Sequence, residues 1–396
     1  MTEQDYKAPE SVSRLQTRAL LVGGLALFVA IFLGGLKTPG AFFQSYLMSF
    51  MLVLGLTLGS LGLTMLQHLT SGHWGVIIRR PLESATRTLP LLVVAFLPIA
   101  LFGMKYLYPA WLDADKTKEE PLSKFQQSYL THGGYLTRAV IYFAVWLLMM
   151  FVFNSMSKQQ DANREDRALR RRFKMLAGPG IILYVFAMSF AAIDWVMSIS
   201  PHWASTIYGF LFVAGQLISS MALMIATVVL LSRSEPFASV LQKRHLHDLG
   251  KLLLAFVMLW AYFDFSQLLI IWSGNQPEEI SFYRTRLYGG WGVVAVIVLV
   301  FHFLVPFLLL LSQDLKRNPK LISRIAVWLI LMRLVDLFWM TRPEFTSRAA
   351  PTWLDLVLPI ALGGIWLGFF AFNLKQCPLL PLGDPKLAEA IEHHEH

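Results

Sequence analysis

The sequence predicts an all-α polytopic membrane protein, and its composition and its long apolar segments are the two observations that predict it. Of the 396 residues, 56% are hydrophobic and 15% are charged, whereas a soluble globular protein has roughly 45–50% apolar and about 25% charged residues. Too few charged side chains are present to cover a water-soluble fold of this length. The composition also excludes a disordered chain, a disulfide-rich secreted scaffold and a collagen-like repeat.

Ten segments are long and apolar enough to cross a bilayer, which takes about 20 mostly apolar residues. These predicted spans are residues 19–36, 41–66, 88–109, 137–156, 175–199, 206–231, 250–273, 286–312, 321–340 and 353–373. The stretch 72–81 is too short to span and is expected to lie at the membrane interface. The loops are too short for a soluble domain, so residues 1–396 are predicted to form a single membrane domain.

Lys and Arg residues are concentrated on one side of the predicted spans, in both terminal segments and in the loops after spans 2, 4, 6 and 8. Because positively charged loops stay in the cytoplasm, both termini are predicted to be cytoplasmic. The net charge of +9 is interpreted as topology signals and contacts with anionic lipids, and no nucleic-acid partner is expected. No cleavable signal sequence is expected, because residues 1–17 are polar.

The chain has a single cysteine, Cys377, which excludes an intramolecular disulfide, a thiolate-ligated Fe–S cluster and a multi-cysteine zinc site. A haem held between helices by two histidines is also not expected, because only His302 lies well inside a predicted span. The other histidines considered lie at or beyond span ends: His68, His73, His132 and His202. We therefore expect this chain to bind no metal or redox cofactor.

Ionisable side chains within spans are costly unless they are paired, hydrated or neutral, so each one marks a candidate functional site. Five lie within the predicted spans: Asp194, Asp264, His302, Arg333 and Asp336. Lys105 and Asp355 lie nearer the span ends. Arg333 and Asp336 are three residues apart, close enough to form an ion pair that fixes packing or to act as a proton relay. The other three are interpreted either as proton-conducting groups or as side chains hydrogen-bonded to a neighbouring helix.

The polar side chains are unevenly distributed across the predicted membrane. The inner half offers mainly His302, Gln216, Ser219, Ser220 and Thr227, whereas the carboxylates lie at mid-membrane or farther out. A continuous proton route would therefore combine hydroxyls, amides and water on the inner side with carboxylates on the outer side.

Two stretches share a plan, FAAIDWVMSISPHW at 190–203 and WAYFDFSQLLIIWSGNQPEE at 260–279. Each places an aspartate between aromatic residues and then a proline-containing turn, and a Tyr-Gly pair follows in both cases. Tyr208-Gly209 follows the first stretch and Tyr288-Gly289 follows the second. The sequence is therefore interpreted as two halves built on a similar plan.

These two stretches, with Ser205, Tyr208-Gly209 and Tyr283 beyond them, resemble the polysulfide-reductase-like (NrfD-like) membrane subunits. Within that family the resemblance is closest to the ActF-type subunits of bacterial alternative complex III. The ten-span layout with both ends inside matches along the whole chain. The resemblance implies two four-helix bundles, spans 2–5 (residues 41–199) and spans 6–9 (residues 206–340), flanked by spans 1 and 10.

The resemblance also implies a subunit of a quinol:electron-acceptor oxidoreductase in the bacterial inner membrane. Such a complex passes electrons from quinol through Fe–S and c-haem proteins to an acceptor, in some cases a terminal oxidase. These proteins, a paralogous quinol-binding membrane subunit and lipids would be the partners of this chain. The chain itself would hold no redox cofactor and would contribute a scaffold and a proton path through Asp194, Asp264, His302, Arg333 and Asp336.

Two other functions remain open at this point. The first is a quinol-binding subunit with its site at the periplasmic ends of spans 5–8, where the resemblance implies a region of Asp194, His202, Trp203, Tyr208, Trp272 and Glu278. The second is a secondary transporter, which would need broken helices at matching midplane positions of both halves. Gly178-Pro179 interrupts only the start of span 5, so the transporter is the more remote alternative.

Overall fold

The computed structural model describes residues 6–72, 74–113, 115, 121–162, 167–384 and 387. The protein is 83% helical, and the described residues contain no β-strand. The predicted fold class, an all-α polytopic membrane protein, is therefore confirmed. Both extreme ends of the chain, residues 163–166 of the basic loop after span 4, and His73 lie outside the described residues.

The described α-helices follow one another in the order of the predicted spans, with short helices in several connections. They are α1 Glu10–Val29, α2 Pro39–Thr70, α3 Trp74–Thr86, α4 Leu89–Pro98, α5 Met104–Leu107, α6 Pro109–Leu112, α7 Lys124–Tyr129, α8 His132–Ala162, α9 Arg167–Trp195, α10 Tyr208–Leu231, α11 Phe237–Val240, α12 Lys243–Gly274, α13 Pro277–Leu287, α14 Trp291–Val298, α15 Val305–Leu311, α16 Gln313–Arg317, α17 Pro319–Thr341 and α18 Leu354–Lys375.

Nine helical segments of the described chain are long and apolar enough to cross a membrane. Helix α17, which corresponds to the ninth predicted span, is not among these nine segments. It is less apolar than they are, because its last eighteen residues include the charged side chains of Arg324, Arg333 and Asp336. Its 23 residues rise about 35 Å at 1.5 Å per residue, which exceeds the roughly 30 Å hydrocarbon thickness. Length therefore permits α17 to cross, and its charges must be satisfied inside the protein.

The segment 72–81 was expected at the membrane interface, but its described residues 75–81 are instead packed inside the protein. It forms most of α3, whose residues from Gly75 to Thr86 are buried against α2, α10 and α18. The short length of this apolar stretch predicts that it does not span the membrane, but length alone does not reveal which helices cover it.

Helices α2 and α10 form the centre of the molecule. The apolar part of α2 is completely buried, and that of α10 is 72% buried, whereas α1 and α14–α15 are only 22% buried. Glycine permits the close approach of the two central helices: a Cβ added at Gly59 would lie 2.2 Å from the carbonyl oxygen of Gln216. Helices α9 and α18 pack on α2, and α12 and α17 pack on α10.

In the described part of the chain, three π-helical turns occur, at Ala30–Gly35, Ile99–Gly103 and Leu299–Leu304. Such turns are rare and often occur at functional sites. The third turn joins α14 to α15 and holds His302, whose side chain is fully buried.

Candidate functional site

Four of the five ionisable residues predicted within spans lie in the second half of the chain. Asp264 is on α12, His302 is in the π-helical turn, and Arg333 and Asp336 are on α17. We call these four residues the second-half cluster. Helix α17 packs against α12 and against the π-helical turn, so the three elements that carry the cluster are in mutual contact.

Arg333 and Asp336 form the ion pair that their spacing predicts. Nη1 of Arg333 donates to Oδ2 of Asp336, and both side chains are buried. The guanidinium lies directly against α10, where a Cβ added at Gly215 would lie 2.2 Å from Cζ of Arg333. The same Cζ is 5.6 Å from the ring centre of Phe212. Gly215 is therefore needed to make room for the arginine, a role that the sequence analysis missed.

Trp260 lies between Asp336 and His302. Its indole lies close enough to the Asp336 carboxylate to interact with it. The Trp260 and His302 rings meet edge to face, with centroids 4.6 Å apart and planes at 88°. An indole N–H only donates, so Trp260 positions the two groups and cannot itself pass a proton between them.

His302 is the least satisfied polar side chain of the cluster. It is 0% exposed, and neither Nδ1 nor Nε2 has a hydrogen-bond partner among the residues that the structure describes. Buried polar atoms are usually paired, and an exception calls for an explanation such as water or a functional role. A neutral imidazole can donate from one nitrogen and accept at the other, which suits a group that exchanges protons with water.

Asp264 differs from Asp336 in having no fixed partner. Its side chain is half-buried, and it makes no hydrogen bond or ion pair to any described residue. The Asp336 carboxylate is close enough to interact with it electrostatically. One turn further along α12, Gln267 accepts a hydrogen bond from Ser205 at 3.0 Å and donates to Tyr283 at 3.5 Å. Asp264 is thus the carboxylate of the cluster that no described residue holds in place.

Asp194 does not belong to this cluster. It is fully buried at the end of α9 and accepts two hydrogen bonds from Arg138, Nε to Oδ2 at 2.8 Å and Nη2 to Oδ1 at 3.0 Å. Tyr142 donates a third at 2.7 Å. The Arg138 guanidinium lies 3.8 Å from the Tyr129 ring centre, and burial raises the pKa of the Tyr129 phenol to about 12. Such charge-assisted hydrogen bonds fix the position of the Asp194 carboxylate.

The residues nearer the span ends are also accounted for. Asp355 accepts a hydrogen bond from Ser45 at 2.6 Å and forms an ion pair with Arg342 at 3.6 Å. Lys105 lies over the Tyr106 ring, with Nζ 4.9 Å from its centre.

Only part of the predicted quinone region comes together. Trp203 and Tyr208 are buried with ring centroids 5.3 Å apart, and Trp203 stacks on Phe282 at 4.0 Å. His202, Trp272 and Glu278 are exposed, Trp272 by 76%. Trp203 lines a mostly apolar cavity of about 360 Å³, and its Nε1 has no hydrogen-bond partner among the described residues.

The polar side chains of α10 are used largely for helix packing. Tyr184 donates to Gln216 Oε1 at 2.7 Å, Ser219 donates to the Gly215 carbonyl at 2.7 Å, and Ser220 donates to the Leu56 carbonyl at 2.9 Å. Thr227 is buried on the same helix. The Ser219 and Ser220 hydroxyls thus bond to backbone carbonyls, and only Tyr184 and Gln216 are linked through their side chains among these hydrogen bonds.

A second buried ionic group, centred on α3, was missed by the sequence analysis. Glu83 accepts from Arg79 Nε at 3.0 Å and from Arg80 Nη1 at 2.6 Å, and all three side chains are at most 2% exposed. Ser157 donates to Glu83 at 2.5 Å. The sequence signal for this group was the pair Arg79 and Arg80 in the segment 72–81, which was predicted to lie at the membrane interface. Their carboxylate partner follows them by three and four residues.

Among the described residues, no group of three or more His, Cys, Asp or Glu side chains is placed to hold a metal ion.

Comparison with known proteins does not identify a family for this chain. No protein-family model matches the sequence, and no curated protein matches it significantly.

Proposed function

We propose that this chain is a membrane subunit of a quinol:electron-acceptor oxidoreductase of the alternative complex III type, resembling its ActF-type subunits. In this proposal it resides in the bacterial inner membrane, holds no redox cofactor, and contributes a scaffold and a proton path. Electrons then travel through partner subunits that carry Fe–S clusters and c-type haems, beside a paralogous quinol-binding membrane subunit. The resemblance of the two aspartate-containing stretches is the basis for naming this class of complex.

The observation that carries the proton path is the second-half cluster. Four ionisable side chains are gathered on contacting helices in the apolar part of the protein, an arrangement that membrane proteins keep for proton or ion pathways. Two members differ from a purely structural ion pair: among the described residues, neither ring nitrogen of His302 has a hydrogen-bond partner, and Asp264 makes no hydrogen bond or ion pair. We assign proton exchange to these two residues. In this assignment, Arg333 and Asp336 set the electrostatic field around His302 and Asp264.

Asp194 has a separate part in this proposal. Its hydrogen bonds with Arg138 and Tyr142 hold its carboxylate in one position near the end of α9. A proton could pass there only if the ion pair opened. The proton path therefore rests first on the second-half cluster, and Asp194 is a secondary element.

One observation favours the alternative of a quinol-binding subunit. The cavity beside Trp203 has a volume of about 360 Å³, within the usual 300–1,000 Å³ range for small-ligand sites. The unpartnered indole N–H of Trp203 could donate to a quinone oxygen. A quinone analogue that binds there, and binds more weakly to Trp203→Phe, would support this alternative.

The proton path is tested by Asp264→Asn in the assembled complex, reconstituted into lipid vesicles. We expect protons moved per electron to fall well below the wild-type value while subunit composition and quinol oxidation persist, because the amide cannot ionise. Asp248→Asn is the matched control, since Asp248 lies on the same helix in an exposed pair with Lys251 at 3.2 Å. An unchanged proton-to-electron ratio in Asp264→Asn would refute the proton path.

A further inference from the structure

A small polar cavity lies where the end of α2 meets the start of α9 and α3. It has a volume of about 80 Å³, and its lining includes Gln67, His68, Arg79, Arg170 and Asp384. A buried water needs about 10–15 Å³ of such space, so the cavity has room for about five water-sized groups. A phosphate group has five heavy atoms.

Two buried side chains present unpartnered polar atoms at this cavity. Gln67 is 4% exposed and His68 is 9% exposed, and neither Gln67 Oε1 nor His68 Nε2 has a hydrogen-bond partner among the described residues. Both residues line the cavity. The Gln67 amide can present either its oxygen or its NH₂ group to a ligand, because the two orientations are nearly equivalent in shape.

The two side chains are held in place by their neighbours. The His68 ring is stacked on Phe173, with centroids 4.0 Å apart and planes at 10°. The Gln67 side chain passes directly over Gly75, where an added Cβ would lie 1.8 Å from Gln67 Cγ. The unpartnered atoms are therefore fixed by packing, as binding groups need to be.

The charge around the cavity favours an anion. Arg79 is buried and immobilised by hydrogen bonds to Glu83 at 3.0 Å, Gln160 at 2.7 Å and Asp384 at 3.0 Å. Asp384, a carboxylate that lines the cavity, is thus already paired with Arg79. Arg170 is exposed, lines the cavity, and makes no ion pair or hydrogen bond to a described residue.

We propose that this cavity binds a phosphate group, either the headgroup of an anionic phospholipid or free inorganic phosphate. Arginine suits phosphate because its fork of N–H donors matches the phosphate oxygens, and His68 and Gln67 add further hydrogen-bonding groups. The C-terminal end of α2 and the N-terminal end of α9 form the cavity. Both lie on the predicted cytoplasmic side, where basic residues bind anionic lipids. The site is separate from the second-half cluster.

The test uses the full chain in nanodiscs of phosphatidylcholine alone or mixed with phosphatidylglycerol. Retained lipids are counted by native mass spectrometry, and inorganic phosphate binding is measured by calorimetry. The variants are Arg170→Gln, at an exposed position, and His68→Phe, which keeps the aromatic stacking. We expect each variant to bind the phosphate-bearing probe roughly tenfold more weakly or worse, because each removes one strong hydrogen-bonding group. Arg172→Gln, exposed on the same helix, is the control.

The outcomes distinguish the two sources of phosphate. Selective retention of phosphatidylglycerol that is lost in Arg170→Gln identifies a lipid headgroup, and saturable binding of inorganic phosphate with the same dependence identifies the free anion. Equal binding by wild type and Arg170→Gln overturns the proposal, whatever His68→Phe does. An equal loss in Arg172→Gln also overturns it, because that result reports general surface charge.

Discussion

Asp336 and Asp194 are buried carboxylates that are each held by an arginine, and the two arginines differ in their distance along the chain. Arg333 is three residues from Asp336, whereas Arg138 is 56 residues from Asp194. Helical spacing predicts the first pair. No local pattern predicts the second, because it depends on how α8 packs against α9. The same limit applies to Gly215 and Trp260, which complete the second-half cluster from other helices.

Arg138→Leu should destabilise the protein by about 3 kcal/mol, because it leaves the fully buried Asp194 without its counter-ion. Chemical unfolding in detergent, followed by tryptophan fluorescence, measures the change. Lys251→Leu is the control: it removes a surface ion pair with Asp248, which is worth about 1 kcal/mol or less. Similar losses of stability in the two variants would show that the buried Arg138–Asp194 pair stabilises the protein no more than an exposed pair does.

Gly215→Ala should displace the Arg333 guanidinium and cost about 1–3 kcal/mol, because the new methyl would lie 2.2 Å from Cζ. Thermal unfolding measures the stability, and the proton-to-electron ratio of the complex reports the disturbed cluster. Gly24→Ala is the matched change in α1, where an added Cβ meets nothing within 4 Å. That control should be neutral or slightly stabilising. A Gly215→Ala protein as stable as wild type would contradict this packing.

At the scale of elements, the helices of this chain were predictable and their burial was not. Long apolar segments located the spanning helices, because a bilayer sets a minimum length. The same hydropathy is found in α2, which is fully enclosed, and in α1, which is mostly exposed. Since lipid and protein interior are both apolar, composition does not separate them. For this reason α3 was placed at the interface and its ionic group was missed.

Helix α17 depends on its N-terminal cap. Asn318 Oδ1 accepts from the backbone N–H groups of Lys320 at 3.0 Å and Leu321 at 3.3 Å, and Pro319 occupies the first turn. Asn318→Ala should cost about 1 kcal/mol, because the cap acceptor is lost. Asn318→Asp keeps an acceptor and should be nearly neutral. Thermal unfolding of both variants measures the difference, and equal stability of the two would contradict the capping role.

At the scale of the whole molecule, the segment after α18 binds the ionic group on α3. Asp384 accepts from Arg79 at 3.0 Å, and Cys377 Sγ accepts from Arg87 at 2.8 Å. The backbone N–H of Leu379 donates to the Tyr6 carbonyl at 2.9 Å. The two ends of the described chain are thus joined to each other and to the first half of the protein.

A chain that ends at Lys375 should therefore be less stable than the full chain by about 2–4 kcal/mol, because the buried Arg79 and the partly buried Arg87 each lose a partner. Thermal unfolding in detergent measures this loss. A chain that ends at Leu387 keeps all of these contacts and should behave as wild type. If the shorter chain unfolds at the wild-type temperature, the C-terminal segment contributes nothing to the ionic group.

The pairing of α1 with α18 also sets the order in which the protein can be assembled. Gly23 and Gly364 allow these two helices to touch, since a Cβ at Gly364 would lie 2.8 Å from Gly23 Cα. Helix α1 packs chiefly on α18, and membrane proteins are synthesised from the N-terminus. Helix α1 consequently leaves the ribosome well before α18, and it stays in the lipid without this neighbour until α18 has been translated.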